Sequence, residues 1–331
     1  MSNPPGTDTN GNGGRAGIEA LTLLATPLTV AVLQALAEKR LSLMELRRAA
    51  GSPPATTMRG HIRTLVRTGV VVKTRRNGFP GTLDFELGGP GLELLSVAEV
   101  LERWLGLSPN DPRPLGSPPA RNAIKALAEG WNTSMVRALC AKRLSLTELS
   151  GLITNVSYPS LERRVTAMRL ADLIEPCPGG GRSTPYAVTE WLRRSVAPLA
   201  AAARWERRCV SEASPALRRR DAEAVFLLAL PLVRLDPEAE ASCRLVVEHG
   251  RGEGQTLSGV TLSIREGQLS SCVSRLEGQA DSWAVGPVSA WLDAIVDTEW
   301  SRLELGGDVG FGRDLLEALS GALAPKLTSA A

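Results

Sequence analysis

Basic side chains are concentrated between residues 38 and 80, where ten of them are opposed by two acidic side chains, Glu38 and Glu45. Arginine and lysine at this density bind phosphate groups, and an arginine can also read guanine through two parallel hydrogen bonds. The ten are Lys39, Arg40, Arg47, Arg48, Arg59, Arg63, Arg67, Lys73, Arg75 and Arg76. This composition predicts a polyanionic partner for the amino-terminal part of the chain.

The carboxyl-terminal third carries the opposite charge. Residues 222–331 hold eight basic side chains against sixteen acidic ones, and the two regions nearly cancel in the overall net charge of +3. A region with this excess of acidic groups repels a polyanion, so the two ends of the chain should have different partners.

Other chemistry is poorly represented. No pair of carboxylates, no Ser/His/Asp set and no glycine-rich phosphate loop occurs in the required order, and Gly179-Gly180-Gly181 follows only a short strand. The five cysteines are widely spaced and form no CxxC motif, and the histidines are His61 and His249 alone. We therefore expect no enzyme activity, no cofactor, no metal site and no disulfide framework.

A repeated segment gives the organisation of the basic region. Residues 35–46 read ALAEKRLSLMEL and residues 138–149 read ALCAKRLSLTEL, with nine of twelve positions identical at an offset of 103 residues. Two unrelated amphipathic segments would not share this much, so the chain contains two copies of one structural unit. The proline-rich stretch at 108–121 reads as the linker between them.

The order of elements is the same in each copy. Helical periodicity at 19–37 and 122–141 is followed by a capping box, Ser42 with Glu45 and Ser145 with Glu148, which starts a second helix. A turn near Gly51 or Gly151 and a third helix come next. The third helix leads to a β-hairpin, whose tip in copy one is Asn77-Gly78, and then to a closing helix. This order predicts two winged helices in tandem.

In copy one the third helix has an apolar stripe and an opposite basic face. A winged helix places the start of such a helix against base edges, while neighbouring turns and the wing contact phosphates. We expect Thr56, Thr57, Arg59 and Arg63 near bases, and Arg47, Arg48, Arg67, Arg75 and Arg76 on phosphates. The alternative is that these arginines form an ordinary solvated face.

Copy two is a weaker reader of DNA. Residues 142–182 hold six basic groups against four acidic ones, and Glu162 and Leu170 stand where copy one has Arg59 and Arg67. Candidate DNA contacts are Tyr158, Ser160, Arg163 and Arg164, with Arg182 in the wing. A degenerate copy that packs against copy one as a pseudo-dimer partner is the other interpretation.

Both copies resemble the winged helix of the HxlR family of bacterial transcriptional regulators, and more distantly MarR-type regulators. Copy two carries MVRALCAKRLSLTELSGLITNVSYPSLERRVTAMRLADLIEP and then TPYAVTEWLRR, and copy one carries VLQALAEKRLSLMELRRAAGSPPATTMRGHIRTLVRTGVVVK. The resemblance covers residues 20–107 and 122–208. It implies a regulator that works as a dimer with two recognition helices about one DNA turn apart.

The resemblance leaves the assembly open. One chain with two copies could form the pair internally as a pseudo-dimer, or two chains could form a homodimer through the closing helices that carry Trp104 and Trp205. The alternative for these two residues is that they are ordinary core tryptophans. Some members of the family sense oxidants through a cysteine before the first core helix. Copy one has Leu24-Ala25-Thr26-Pro27 in that region and no cysteine, so this property is not carried over.

The pattern changes near residue 222, from helical spacing to alternating, β-branched segments, with a hairpin signal at Glu266-Gly267. This predicts an α+β unit with a mostly antiparallel sheet. The segments ADSWAVGPVSAWLDAIV and LELGGDVGFGRDLLEAL are similar to the sterol-carrier-protein-like fold over residues 222–325. That resemblance implies an apolar cavity, and Trp283, Trp291, Trp300 and Phe311 are candidate lining residues, with packed core as the alternative.

We therefore expect an α+β chain with a disordered tail (1–16), a first winged helix (17–107, copy one), a linker (108–121), a second winged helix (122–212, copy two) and a sterol-carrier-like region (222–325, the C-terminal region). The expected function is a DNA-binding transcriptional regulator, with double-stranded DNA as partner and an apolar small molecule as candidate effector. Alternatives are a protein interaction scaffold with degenerate winged helices and a carrier of lipids or small hydrophobic ligands. No run of 18 apolar residues and no signal-peptide pattern occurs, so we expect a cytoplasmic protein without a membrane partner.

Overall fold

The computed structural model describes residues 16–75, 83–178, 183–210, 217–250 and 254–323, and it combines helices with β-sheets. Of the predicted disordered tail, residues 1–15 lie outside the described residues. Ala16 is described and is buried in the core, so the prediction does not hold at that residue.

Copy one forms a small sheet with helices around it. Its strands pair antiparallel in the order β1-β3-β2. Its elements, in chain order, are α1 (Ile18–Leu24), α2 (Pro27–Glu38), β1 (Leu41–Ser42), α3 (Leu43–Ala49), α4 (Ala55–Arg67), β2 (Val71–Arg75), β3 (Leu83–Leu87) and α5 (Gly89–Gly106).

Copy two repeats this arrangement, and its strands pair in the order β4-β6-β5. Its elements are α6 (Pro118–Glu129), α7 (Thr133–Ala141), β4 (Leu144–Ser145), α8 (Leu146–Leu152), α9 (Tyr158–Leu170), β5 (Ile174–Pro176), β6 (Pro185–Val188), α10 (Glu190–Arg194) and α11 (Val196–Cys209). The bounds of α8 and α9 follow those of α3 and α4 by 103 residues. The two copies differ at the closing helix, which is continuous in copy one and interrupted at Ser195 in copy two.

Both predicted capping boxes are present, and they explain why α3 and α8 begin where they do. The Glu45 amide donates to Ser42 Oγ at 3.3 Å, and the Ser42 amide donates to Glu45 Oε2 at 2.7 Å. Ser145 and Glu148 make the same pair of bonds at 3.3 and 2.8 Å. Each box satisfies amides that have no partner inside the helix, which fixes the helix start locally.

Tryptophan side chains join the two copies. Trp104 on α5 stacks on Trp191 on α10, with ring centroids 4.4 Å apart and planes 8° from parallel. The Trp104 indole donates to the Trp191 carbonyl at 2.9 Å, and the Trp191 indole donates to the Trp104 carbonyl at 2.8 Å. The Trp205 indole on α11 donates to the Pro90 carbonyl on α5 at 2.7 Å. Since Trp104 and Trp205 are buried, both contribute packing area as well as hydrogen bonds.

A buried carboxylate also crosses between the copies. Glu206 on α11 accepts the backbone N–H groups of Gly17 at 2.6 Å, Glu19 at 2.5 Å and Ala20 at 3.4 Å. These groups belong to the start of α1, where no side chain of α1 caps the helix. Glu206 therefore caps a helix that lies more than 180 residues earlier in the chain.

Glu206 should give the stability of the fold a pH dependence. Burial raises the pKa of Glu206 above its usual value, and this outweighs the three backbone hydrogen bonds, which lower it. With a raised pKa in the folded state, its stabilisation is fully present below the unfolded pKa and is lost as pH rises through the folded pKa. We expect Glu206→Gln, which does not titrate, to lose least relative to wild type at pH 7 and most near pH 4. Thermal unfolding of both proteins across this range measures the difference, and a pH-independent difference would contradict the argument.

The C-terminal region begins in a helix, three residues before the predicted boundary at 222. Its elements are α12 (Arg219–Ala229), a 3-10 turn (Leu230–Leu232), β7 (Ala241–His249), β8 (Thr256–Arg265), β9 (Gln268–Val273), β10 (Ser282–Pro287), α13 (Val288–Asp297), β11 (Glu304–Gly307) and α14 (Val309–Leu323). The sheet order is β11-β10-β7-β8-β9, and only the β10–β7 pair is parallel among the described residues. The predicted hairpin at Glu266-Gly267 is confirmed, and both residues have positive φ, as its tight turn requires.

Ionic contacts attach the C-terminal region to copy two. Asp293 on α13 is buried and accepts from Arg208 on α11 and from Arg302, each at 3.0 Å. On the other side of the junction, Arg137 on α7 pairs with Glu223 on α12 at 2.9 Å. Partly buried pairs of this kind are little screened by salt, so they help to fix the orientation of the region.

In the described part of the chain, no single helix has both the length and the apolar character to cross a bilayer. The helices α1 and α2 meet that test only as a pair, and they are bent by 83° at their junction.

Candidate nucleic-acid interface

The helix α4 presents one buried face and one exposed face. Met58, Ile62 and Leu65 are buried against the core of copy one. The spacing of these residues follows the helical period, so the side chains between them must point outward. The candidate DNA contacts on this helix are all exposed, and they are Thr56, Thr57, Arg59, Arg63 and Arg67.

In the part of the chain that the structure describes, no acidic side chain is paired with the arginines of this exposed face. Helix α4 contains no acidic residue. Among the described residues, no acidic side chain forms a salt bridge with Arg59, Arg63 or Arg67, whereas Arg40 nearby pairs with Glu86 on β3. Three arginines on one helical face therefore keep their charge available to an external anion.

The turn that leads into α4 is braced by an arginine. Arg47 on α3 donates from Nε to the Pro53 carbonyl at 2.7 Å and is half-buried. Its terminal nitrogens can still reach a phosphate, but part of its role is to hold the turn. Arg48, the next residue, is exposed. Pro54, the N-cap of α4, provides no side-chain cap, and Ala55 and Thr56 in the first turn are exposed.

The strand β2 adds basic side chains beside α4. Arg75 is exposed at its end, as predicted, while Arg76 and the Asn77-Gly78 tip lie outside the described residues. Lys73 is exposed as well and lies on the same side of the strand as Arg75, because residues two apart in a strand share a face. Lys73 is not among the contacts predicted from the sequence, although the alternation of the strand places it beside Arg75.

In copy two, fewer of the candidate DNA contacts are exposed than in copy one. Tyr158 and Arg163 are exposed, and Ser160 is half-buried. Arg182 lies outside the described residues. Arg164 is half-buried and donates from Nη1 to the carbonyl oxygens of Glu129 at 2.6 Å and Trp131 at 3.1 Å.

Arg164 and His61 occupy equivalent positions, 103 residues apart, and both fasten the third helix to the preceding helices. His61 Nε2 lies 3.2 Å from Thr29 Oγ1 on α2. Burial lowers the pKa of His61 below its usual value, so the ring is neutral at pH 7. This equivalence indicates that Arg164 has a structural role in orienting α9.

The candidate pocket residues of the C-terminal region do not converge on one site. An apolar cavity of about 60 Å³ has Trp291, Phe226 and Val247 in its wall, together with Leu199 from α11 and Trp131 from copy two. Trp283, Trp300 and Phe311 are not part of that wall within the described residues. The cavity therefore lies at the junction of copy two and the C-terminal region. The volume of the cavity is far below roughly 300 Å³, the lower end of the range for typical ligand-binding pockets.

Potential metal ligands and cysteine thiols of the described residues lie outside the basic face. No group of three potential metal ligands occurs in the described part of the chain. Burial raises the pKa of Cys140 to about 11 and that of Cys272 to about 12, so both thiols are protonated at neutral pH. Of the surfaces described, the basic face of copy one is the one whose chemistry points to a partner.

Comparison with known proteins gives no guide to function. No family model matches the chain, and no curated protein gives a significant match.

Proposed function

We propose that this chain is a sequence-specific DNA-binding transcriptional regulator, in which two winged helices lie in tandem and copy one reads the DNA. The observation that carries the proposal is the exposed face of α4, where Arg59, Arg63 and Arg67 lie together without an acidic partner among the described residues. Like charges held this close repel each other unless an anion neutralises them. The phosphate backbone of DNA supplies such anions along the length of a helix.

The dimensions of α4 suit the major groove. A helix of 13 residues is about 20 Å long, and the major groove of B-form DNA is wide enough to admit it. In this pose Thr56, Thr57, Arg59 and Arg63 approach base edges. The uncapped start of α4 and the side chains of Arg48, Lys73 and Arg75 approach phosphates.

The acidic C-terminal region lies away from the duplex in this proposal, because its charge opposes contact with phosphates. A carrier of lipids would need a chamber larger than the cavity of about 60 Å³ beside Trp291. The small volume of this cavity therefore argues against a role for this region as a carrier.

Salt dependence tests the proposal directly. A protein that neutralises roughly six to ten phosphates loses about three to five decades of DNA affinity between 50 and 200 mM salt. We expect fluorescence anisotropy with duplex DNA to show a linear fall of log affinity with log salt over this range.

The control is a selected binding site compared with a shuffled duplex of the same length. A sequence-specific regulator should bind the selected site at least about a thousandfold more tightly at one salt concentration. Binding that does not depend on salt, or that is equal for both duplexes, would contradict the proposal and favour a protein interaction module.

A further inference from the structure

The contacts between the two copies are related by an approximate exchange of partners. The Trp104 indole donates to the carbonyl of Trp191. In the closing helices, residues 104 and 90 correspond to residues 205 and 191 at an offset of 101. The exchanged contact is also present, since the Trp205 indole donates to the carbonyl of Pro90. Helices α1 and α6, which open the two copies, also pack against each other. Reciprocal contacts of this kind are what a twofold axis produces in a symmetric dimer.

This arrangement uses the closing helices inside one chain. Trp104 is 2% exposed and Trp205 is 1% exposed, so neither is available to a second copy of the protein. A homodimer formed through these helices would first have to separate the two copies. The described surfaces therefore favour a single chain that presents both third helices, α4 and α9.

The two helices are unlike each other on the surface that faces outward. At the offset of 103 residues, Arg59 is replaced by Glu162, Arg63 by Thr166 and Arg67 by Leu170, and all three replacements are exposed. On the preceding helix, Arg47 and Arg48 correspond to Ser150 and Gly151. Every arginine of the copy-one face is thus lost in copy two.

Copy two keeps a smaller set of basic groups at other positions. Arg163 and Arg169 on α9 are exposed, and neither forms a salt bridge among the described residues. In the wing, Lys73 of copy one corresponds to Pro176 of copy two, and the neighbouring Glu175 is exposed. Arg163 and Arg169 stand where copy one has Gly60 and Val66, so neither repeats the position of a base-reading arginine of copy one. We therefore assign them to phosphates.

From these contacts and replacements we infer that one chain occupies a whole DNA site whose two halves are different. Copy one reads bases in one half, and copy two holds the sugar-phosphate backbone of the other half through Arg163 and Arg169. The inference rests on the proposed function. It adds that the site is not a palindrome and that one chain binds one duplex.

Stoichiometry and sequence selection with the full chain test the inference. We expect in vitro selection to return a motif without twofold symmetry, and mass photometry of the complex to show one chain per duplex. Arg163→Ala with Arg169→Ala should weaken binding equally for selected and shuffled duplexes and reduce the slope of log affinity against log salt by about two. Two chains on a palindrome would overturn the inference while leaving the proposed function intact, whereas no binding to any duplex would overturn both.

A gain-of-function variant gives an independent test. Glu162→Arg, Thr166→Arg and Leu170→Arg together place the residues of copy one on copy two, at positions that are exposed and tolerate long side chains. We expect selection with this variant to return an inverted repeat of the original half-site, with affinity for that repeat raised at least tenfold. Glu277→Arg with Glu304→Arg makes the same charge change on exposed positions of the C-terminal region and serves as the control. If the selected motif stays the same for both variants, copy two does not lie on the DNA and the inference fails.

Discussion

Replacing Arg59, Arg63 and Arg67 together by alanine is expected to remove sequence-specific DNA binding, with a loss of at least about a hundredfold in affinity for the selected site. Each arginine that forks onto a guanine contributes roughly 1 to 3 kcal/mol of discrimination, and each phosphate contact adds a salt-dependent term. The fold should be unaffected, because all three side chains are exposed and form no salt bridge among the described residues. Anisotropy with selected and shuffled duplexes, together with a thermal melt, measures both effects.

A matched control separates the loss of base-specific contacts from the loss of net positive charge. Arg265→Ala, Arg275→Ala and Arg313→Ala remove the same charge from exposed positions of the C-terminal region and should leave affinity within about twofold. A second control replaces Arg59, Arg63 and Arg67 by lysine, which keeps the charge but lacks the planar fork. We expect the lysine variant to bind all duplexes with similar, weak affinity. If the lysine variant kept its preference for the selected site, these arginines would be phosphate contacts only.

The second large effect is expected at the junction of the copies. Trp104→Ala should lower the free energy of unfolding by about 3 to 5 kcal/mol, the usual cost of removing a large buried aromatic side chain. The variant lacks the stacking of the Trp104 and Trp191 rings, whose centroids are 4.4 Å apart in the wild type. It also lacks the hydrogen bond from the Trp104 indole to the Trp191 carbonyl. The Trp191 indole can still donate to the backbone carbonyl of residue 104 in this variant. The measured loss of stability therefore reports the contribution of the Trp104 side chain alone. Urea denaturation followed by circular dichroism measures the loss.

Two variants make this prediction specific to the junction. Trp104→Phe keeps most of the stacking area and should cost less than the alanine variant, because only the indole hydrogen bond is lost. Trp300→Ala removes a partly buried tryptophan from the C-terminal region and should also cost less. An alanine variant of Trp104 as stable as wild type would mean that the two copies do not depend on this contact.

The sequence determined the local features of both copies. The repeat at an offset of 103 residues, the two capping boxes and the buried stripe of α4 were readable because each depends on residues within one or two helical turns. The exposed basic face of α4 followed from the same periodicity. The Glu266-Gly267 hairpin was readable because a tight turn limits which residues can occupy it.

Only the tertiary structure decided which side chains make contacts between distant elements and which stay exposed. Nothing near Glu206 in the sequence indicates that it caps α1. The sequence offers Trp104 and Trp205 as contacts between two chains, whereas the fold uses them to join the two copies of one chain. Arg164 has the same local signature as a DNA-contacting arginine, yet it holds two carbonyl groups of its own domain. Of the four aromatic residues proposed for one pocket, Trp291 alone lies in the wall of the cavity among the described residues. That wall is built mainly from α11, α12, β7 and α13, which come from copy two and the C-terminal region.

The physical reason is the range of the interactions. Periodicity and capping follow from hydrogen bonds between neighbours in the chain, so a sequence states them directly. Packing between elements depends on the shape and burial of groups that lie 80 to 190 residues apart in the chain. A given pattern of apolar residues on a helix is compatible with many different packing partners, so the sequence does not specify which one is used. The sequence thus determined which surfaces exist, while the fold determined which of them are left exposed to a partner.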